Sequence, residues 1–410
     1  MKKILFLLFV PLLSFSQTLK FNFETREMKG FLPVRPNQLY TKEAGFGFLP
    51  DSPKFFTLDL KEGNYDVKMV LGIENQASET TIKVENRRLM LEKIITPTGE
   101  FTTKTFTVNV KTPNFGDYEK IKLKPRELTY QHWDNQLTFE FCGKNPQVKS
   151  LEITPNVKAC TVFLAGNSTV VDQVQEPFTA WGQMIPRFFE SGKIVVNNHA
   201  ESGESLQSFV AENRLKKILF DMKKGDYLFI EFAHNDQKIK GFRAMFEYKD
   251  LLKSYIEQTR SKGGIPVLIT SMHRRNFDNK GQIVNTLLDF PDAMREVAQV
   301  EKVSLIDLNA MSKILWETLG VEESKKAFVH VAAGTYAGQE KAYADDTHFS
   351  NYGAYQLAKC VVEGIRNSDL PLKKYLLKKI PTYSPAQPDN LQTFDFPTSP
   401  MVNIIKPDGN

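Results

Sequence analysis

Two short segments of the sequence contain the residue types that nucleophilic catalysis requires. In the first, FLAGNSTVVDQ, Ser168 directly follows an apolar run, and in the second, YADDTHFSNYGAYQLA, Asp345 precedes His348 by three residues. A serine hydroxyl becomes a nucleophile when a base takes its proton, and an aspartate that accepts the imidazole Nδ1–H leaves Nε2 free as that base. Helix capping or a partial metal site would explain the same residues, although no second histidine stands at ligand spacing from His348.

Two further positions can supply hydrogen-bond donors to an anion formed at the serine. Gly203 lies a few residues after the run IVVNN, and a glycine lets a backbone N–H approach a ligand closely. Asn235 lies just after the run YLFIEF, and a side-chain amide there can stabilise an oxyanion. A tight turn at the glycine and a polar turn at the asparagine would explain both without catalysis.

The elements that must position these residues form an alternating pattern. From residue 161 onward, apolar runs alternate with amphipathic stretches such as residues 251–261, which predicts parallel strands covered by helices on both faces. The runs are TVFLA at 161, IVVNN at 194, YLFIEF at 227, PVLITS at 266 and VSLID at 303. This number of strands suits an α/β, flavodoxin-like domain, whose ligands bind beyond the carboxyl ends of the strands. We therefore expect the serine, glycine, asparagine and histidine at one edge of the sheet.

The chain before residue 161 follows a different pattern. Short alternating or β-branched runs, separated by Gly, Pro, Asn and Asp, predict an all-β sandwich. The runs lie at 55–60, 65–71, 80–84, 106–110 and 137–141. The predicted domains are a leader at 1–16, a β-sandwich at 17–155, an α/β domain at 156–366 and an extended C-terminal segment at 367–410.

The first residues are typical of a signal peptide. Lys2 and Lys3 precede the apolar run at 4–13, and Ser14-Phe15-Ser16 supplies a cleavage site. The run is shorter than the roughly 20 apolar residues that span a bilayer. We expect a secreted or periplasmic protein without a membrane anchor after cleavage.

Composition narrows the class of protein further. Hydrophobic residues make up 41% and charged residues 25%, which is ordinary for a globular chain. The formal net charge of +5 falls to +3 without Lys2 and Lys3, and the basic residues are scattered, so nucleic acid is not an expected partner. The cysteines, at 142, 160 and 360, are too few and too widely spaced to predict a disulfide scaffold.

The combined motifs resemble a known superfamily of hydrolases. GNS, then a glycine, then HND and DxxH, in this order, resemble the sequence blocks of SGNH (GDSL) hydrolases. The fuller strings FLAGNSTVVDQ, HNDQK and DDTHFSNYGA are similar to those of rhamnogalacturonan acetylesterases and their bacterial relatives. The resemblance covers residues 160–366, and the region before it is similar to the galactose-binding-like sandwich that precedes some of these esterases.

The resemblance implies a role for each candidate residue. Ser168 would be the nucleophile, and Asp345 and His348 would complete its triad. The oxyanion hole would consist of the N–H groups of Ser168 and Gly203 and the side chain of Asn235.

The sequence departs from the family pattern at two positions. Asn167 stands where the family usually has Asp, and Ala233 where the third block usually has Gly. Neither position supplies a proton or an oxyanion donor in the family scheme. Asp346 adjoins Asp345, and the spacing to the histidine favours Asp345 as the orienting acid.

Residues near the expected cleft suggest contacts with a polysaccharide. Trp181 can offer an aromatic face to a sugar, and His273, Arg274 and Arg275 after the fourth strand can bind a uronate carboxylate. A packed indole and surface charge would explain the same residues. Asp172 is expected to anchor the loop after the nucleophile.

With the resemblance, the sequence predicts a secreted carbohydrate esterase that uses no metal or cofactor. Its expected substrate is an acetylated plant cell-wall polysaccharide or oligosaccharide, and rhamnogalacturonan is the first candidate. The enzyme would remove the acetyl groups through a Ser-His-Asp acyl-enzyme mechanism. One alternative is a lipase or thioesterase with the same triad. The other is an esterase-like carbohydrate-binding protein without activity.

Overall fold

The computed structural model describes residues 18–50, 52–336, 339–402 and 406–407. The predicted signal peptide at 1–16 lies outside the described residues. Among the helices in these ranges, none has both the length and the apolar character that crossing a bilayer requires.

The first part of the chain is a β-sandwich of two five-stranded sheets. Its strands are β1 (Leu19–Asn22), β2 (Leu32–Pro33), β3 (Phe46–Leu49), β4 (Ser52–Asp59), β5 (Gly63–Leu71), β6 (Ser78–Val84), β7 (Arg88–Thr96), β8 (Thr102–Val110), β9 (Asn114–Phe115), β10 (Glu119–Lys120), β11 (Gln136–Cys142) and β12 (Val148–Pro155). The sheets have the orders β2-β1-β12-β5-β8 and β3-β4-β11-β6-β7, and β9 pairs with β10. Alternate side chains of both sheets, including Val67, Leu137 and Leu151, form one buried core between them.

The second part contains a five-stranded parallel sheet. Its strands are β13 (Cys160–Gly166), β14 (Ile194–Asn198), β15 (Tyr227–Glu231), β16 (Ile265–Ile269) and β17 (Ser304–Ile306), followed by the hairpin of β18 (Phe328–Val331) and β19 (Tyr343–Phe349). The order is β14-β13-β15-β16-β17 with every neighbour parallel. This is the flavodoxin-like order in which the second strand lies outside the first, and it confirms the predicted fold class.

Helices cover both faces of the parallel sheet. They are α1 (Trp181–Met184), α2 (Leu206–Ala211), α3 (Arg214–Asp221), α4 (Lys249–Ser261), α5 (Phe290–Val300), α6 (Leu308–Glu323) and α7 (Asn351–Asn367). Apolar residues of α2 to α5 form the core on one face, and those of α1, α6 and α7 form the core on the other. Within β13, Val162 and Leu164 point to one core and Phe163 and Ala165 to the other, which explains why the strands are apolar at every position.

The sequence did not predict the hairpin of β18 and β19. The structure places His348 near the end of β19, before the helix α7. Ser350 is the N-cap of that helix, and its side chain accepts a hydrogen bond from the Gly353 N–H.

The segment after α7 packs against both the parallel-sheet part and the β-sandwich. Leu372 and Leu376 are buried in the core beside α7. Further along, Asp395 forms an ion pair with Lys93 of the sandwich, at 2.8 Å between Nζ and Oδ2. The Glu176 N–H, in the α/β domain, donates to the Met401 carbonyl oxygen at 2.8 Å.

Candidate active site

Three side chains form a hydrogen-bonded chain at the carboxyl edge of the parallel sheet. The Ser168 Oγ lies 2.9 Å from His348 Nε2, and His348 Nδ1 lies 2.8 Å from Asp345 Oδ2. The three residues are 3%, 1% and 2% exposed. A histidine held between a hydroxyl and a carboxylate is the arrangement that activates a serine for attack on an acyl carbon.

Local hydrogen bonds prepare Asp345 to accept from the imidazole. Its Oδ1 accepts the backbone N–H groups of Thr347 and His348 at 2.8 and 3.0 Å, and the Tyr343 hydroxyl donates to Oδ2 at 3.2 Å. Burial opposes ionisation of this carboxyl, but the hydrogen bond and charge of His348 and the two backbone N–H groups hold its pKa below the ordinary value. Asp345 is therefore anionic at neutral pH.

The neighbouring carboxylate of Asp346 has different partners. Its Oδ1 lies 2.8 Å from His330 Nε2 and 3.0 Å from Arg275 Nη1. Its side chain is 49% exposed. The structure thus brings Asp345, and not Asp346, to the His348 imidazole, as the spacing predicted.

A tight turn at the end of β13 places the serine. The Asn167 side-chain Oδ1 accepts both the N–H and the hydroxyl of Thr169, at 3.0 and 2.8 Å. An aspartate has an oxygen in the same place, so the departure from the family pattern at Asn167 preserves these two bonds. The Thr169 hydroxyl also lies 2.7 Å from Glu231 Oε2, at the end of β15.

The three groups that the resemblance assigns to an oxyanion hole lie on three loops. In the described part of the chain, the N–H groups of Ser168 and Gly203 have no backbone acceptor. Gly203 has φ +83°, which favours glycine at this turn. The Asn235 Nδ2 donates to the Glu204 carbonyl oxygen at 2.9 Å, and an amide nitrogen carries a second hydrogen that can serve an oxyanion.

Two of the residues expected to contact sugar are buried. Trp181 is 0% exposed and belongs to the core formed with α7, so its indole face cannot meet a ligand. His273 is 5% exposed, and its backbone N–H donates to Ser312 Oγ at 2.9 Å. Burial lowers the pKa of His273 to about 4, so the ring is neutral at pH 7. Trp181 and His273 are therefore buried packing residues and not the sugar contacts that we expected.

The two arginines after β16 bind groups of the protein itself. Arg274 Nη1 donates to the Thr286 hydroxyl at 3.1 Å. Arg275 donates from Nε to Ser324 Oγ at 3.1 Å, and its guanidinium pairs with Asp346. We expected both guanidinium groups to be open to a uronate. In the structure each guanidinium already has hydrogen-bond partners within the protein.

The loop after the serine is anchored from the β-sandwich. Arg88, the first residue of β7, donates from Nε and Nη2 to Asp172 Oδ2 at 3.0 and 2.9 Å. Asn198 Nδ2 donates to the other carboxylate oxygen at 2.8 Å. The Arg88 and Asp172 side chains are 2% and 0% exposed. The structure thus gives Asp172 the anchoring role that the sequence predicted, with a partner that the sequence did not identify.

A second arginine of the sandwich connects to the histidine. Arg87 pairs with Glu176 at 2.6 Å, and its Nη1 donates to the Phe178 carbonyl oxygen at 2.8 Å. The Phe178 ring meets the His348 ring edge-on, with centroids 5.8 Å apart. The sequence did not predict the contact between Arg87 and the Phe178 segment. No local pattern indicates it, because the two residues lie about 90 positions apart along the chain.

Comparison with known proteins identifies the family. No family model matches the chain. Rhamnogalacturonan acetylesterase RhgT of Bacillus subtilis (strain 168) is 42% identical over 224 residues, which cover 54% of this chain and 96% of RhgT. The probable rhamnogalacturonan acetylesterase YesY of the same organism is 34% identical over 225 residues, which cover 53% of this chain and 98% of YesY.

One solved structure aligns with most of the chain's length. The crystal structure of the Bacillus subtilis protein YxiM covers 87% of this chain and 99% of its own, with 22% identity and a TM-score of 0.49. The identification itself rests on the similarity to RhgT over nearly its whole length. This chain is a carbohydrate acetylesterase, and it belongs to the rhamnogalacturonan acetylesterase family.

Proposed function

We propose that this protein removes acetyl groups from rhamnogalacturonan by a Ser-His-Asp mechanism after export from the cytoplasm. The observation that carries the mechanism is the continuous hydrogen-bonded chain from Ser168 through His348 to Asp345. The substrate is inferred from the printed names of the relatives RhgT and YesY. Export is inferred from the signal-peptide pattern at residues 1–16.

Acylation begins when Ser168 Oγ attacks the acetyl carbonyl carbon and passes its proton to His348 Nε2. The carbonyl oxygen becomes an oxyanion, which accepts hydrogen bonds from the N–H groups of Ser168 and Gly203 and from the Asn235 amide. When the tetrahedral intermediate collapses, the bond to the sugar oxygen breaks and His348 returns the proton to that oxygen. The acetyl group is then bonded to Ser168.

Deacylation repeats these steps with water. His348 Nε2 takes a proton from water as its oxygen attacks the acetyl-serine carbonyl, and the proton then goes to Ser168 Oγ as acetate leaves. Throughout, the Asp345 carboxylate stabilises the imidazolium and keeps Nε2 directed at the serine. Every atom is supplied by the ester, one water molecule and the three side chains.

The assignment of the orienting acid gives a direct test. We expect Asp345→Asn to lower kcat by about 10³- to 10⁴-fold, because an amide no longer favours the tautomer with Nε2 unprotonated. Asp346→Asn is the matched control, since its carboxylate faces Arg275 and His330. Initial rates on a small neutral acetyl ester measure both. If Asp346→Asn gave the larger loss, the roles of the two acids would be exchanged.

The substrate is tested by comparing polysaccharides. We expect kcat/KM for acetate release to be at least about tenfold higher on acetylated rhamnogalacturonan than on acetylated xylan, which corresponds to about 1.4 kcal/mol of differential binding in the transition state. Rates on acetyl and octanoyl esters of one alcohol provide the control for a lipase, which would favour the longer chain. A clear preference for xylan would contradict the proposed substrate and leave the esterase chemistry unaffected.

A further inference from the structure

The turn that carries Gly203 has a peptide group at its centre that the turn alone does not fix. The turn runs from Glu201 to Glu204, and the Glu204 N–H donates to the Glu201 carbonyl oxygen at 3.2 Å. The peptide group between Ser202 and Gly203 lies in the middle, where the hydrogen bond that closes the turn does not reach it. Its N–H is one of the donors that the resemblance assigns to the oxyanion hole.

Two cationic side chains of the β-sandwich bind the carbonyl end of this peptide group. Lys124 Nζ donates to the Ser202 carbonyl oxygen at 2.8 Å, and Arg126 Nη2 donates to the same oxygen at 2.7 Å. Each cation also pairs with a carboxylate beside the peptide, Lys124 with Glu204 and Arg126 with Glu201. These carboxylate side chains are 0% and 1% exposed, so buried ion pairs hold both cations at the turn.

The segment that supplies the two cations is itself anchored. Lys124 is the N-cap of a 3₁₀ helix at Pro125–Thr129 that contains Arg126. In the same helix Glu127 accepts from Arg214 Nη1 at 3.1 Å, and both side chains are 0% exposed. A buried ion pair thus fixes the helix that carries the cations to helix α3 of the parallel-sheet part.

The contacts of the carbonyl oxygen determine where the N–H points. A peptide group is planar and trans, so donors on the Ser202 carbonyl oxygen direct the Gly203 N–H to the opposite side. In a type II turn the third residue has φ of about +80°, and in a type I turn, where the central peptide is flipped, about −90°. Gly203 has φ +83°. The two cations stabilise this orientation, because the flipped peptide would remove their shared acceptor.

The two cations also strengthen the Gly203 N–H as a donor. Amide resonance moves electron density from nitrogen to oxygen, and positive charge at the oxygen favours this shift. Charge-assisted hydrogen bonds are stronger than neutral ones, and linked hydrogen bonds polarise one another. An oxyanion therefore gains more from this N–H than from that of an ordinary peptide group.

We propose that Lys124 and Arg126 of the β-sandwich are positioning residues of the oxyanion hole, which orient and polarise the peptide group of Gly203. This inference rests on the proposed function, because it requires that an oxyanion forms next to Ser168. The β-sandwich then contributes to the chemical step itself.

The test measures hydrolysis of 4-nitrophenyl acetate, a small ester that needs no polysaccharide contact. We expect Lys124→Met and Arg126→Met each to lower kcat by about tenfold with KM nearly unchanged, because the oxyanion is absent from the ground state. This loss is smaller than the roughly 10²- to 10³-fold for a whole oxyanion donor, since the other cation still binds the Ser202 carbonyl oxygen. Both substitutions together should approach about 10²-fold.

Lys122→Met is the matched control. Lys122 Nζ donates to the Ala211 carbonyl oxygen of helix α2 at 2.9 Å, so this lysine also joins the β-sandwich to a carbonyl group of the parallel-sheet part, outside the Gly203 turn. Its kcat should equal that of the wild type. Lys124→Arg keeps a charged donor and should retain kcat within about threefold.

Stability is controlled with charge-balanced variants. Removing either cation alone leaves a buried carboxylate unpaired, which is destabilising. Lys124→Met with Glu204→Gln, and Arg126→Met with Glu201→Gln, remove both charges of each pair. These double variants should show the same loss of kcat as the single ones, because the Ser202 carbonyl oxygen still lacks its donor.

Three results would overturn the proposal. They are an unchanged kcat in the charge-balanced variants, an effect confined to KM, and an equal loss of kcat in Lys122→Met. Failure of the proposed function is seen separately, as hydrolysis of the same ester by a folded Ser168→Ala protein.

Discussion

Replacing Ser168 by alanine is expected to lower kcat for acetate release by about three orders of magnitude or more. The substitution removes the oxygen that forms the acyl-enzyme and leaves His348 without a nucleophile to deprotonate. Acetate release from an acetylated oligosaccharide and from a small acetyl ester should fall together, because both reactions pass through the same intermediate. A fluorophosphonate probe should label the wild type and not the variant.

The fold should be unaffected by this change. Ser168 lies on a loop, and its hydroxyl contacts the His348 ring. Thermal unfolding should therefore match that of the wild type and of Ser254→Ala, a control on helix α4 far along the chain from the catalytic loops. Substantial residual activity in a folded Ser168→Ala protein would exclude the acyl-serine mechanism.

Replacing Arg88 by alanine is expected to lower the free energy of unfolding by about 3–5 kcal/mol, the scale for removing one partner of a buried ion pair. Asp172 would then keep a buried carboxylate oxygen that has lost both donors from the guanidinium. Because Asp172 belongs to the loop after Ser168, activity on a small acetyl ester should fall as well. Urea unfolding and ester hydrolysis measure the two effects on the same samples.

A double substitution separates the pair from its surroundings. We expect Arg88→Ala with Asp172→Ala to destabilise less than the two single changes added together, because no unpaired charge is left behind. Arg243→Ala is the matched control, since its ion pair with Glu247 is exposed, and it should leave stability essentially unchanged. Strictly additive effects at positions 88 and 172 would contradict a direct interaction.

The candidate catalytic residues could be proposed from sequence because a local pattern marks each of them. Ser168, Gly203 and Asn235 each follow an apolar strand, and parallel strands bring their carboxyl ends to one edge. The spacing of Asp345 and His348 is also local, since the base follows the acid by three positions. Strand bounds were predicted to within a few residues for the same reason, as at Ile194–Asn198.

The junction between the domains could not be predicted in this way. The Arg88–Asp172 and Arg126–Glu201 pairs join residues 84 and 75 positions apart, and nothing in a single sequence specifies which distant charges meet. The burial of the Trp181 side chain could not be predicted from the sequence either. Its position near the strand ends suggested a ligand contact, whereas packing against α7 places it in the core.

The segment after α7 also constrains the order in which the molecule can be assembled. On a ribosome the sandwich can close only after β12 has emerged, because β1 pairs with β12. The parallel sheet lacks its edge strand until β17 has been made. Both events precede synthesis of Asp395 and Met401, which contact Lys93 and Glu176.

Domains generally fold as units in the order of their synthesis. Each sheet can therefore form while the last contacts across the junction do not yet exist. The C-terminal residues dock last, and they contact both the sandwich and the parallel-sheet part. Docking of the C-terminal residues is thus the last of these contacts that the growing chain can make, after the pairs of Arg87 with Glu176 and of Arg88 with Asp172 have become possible.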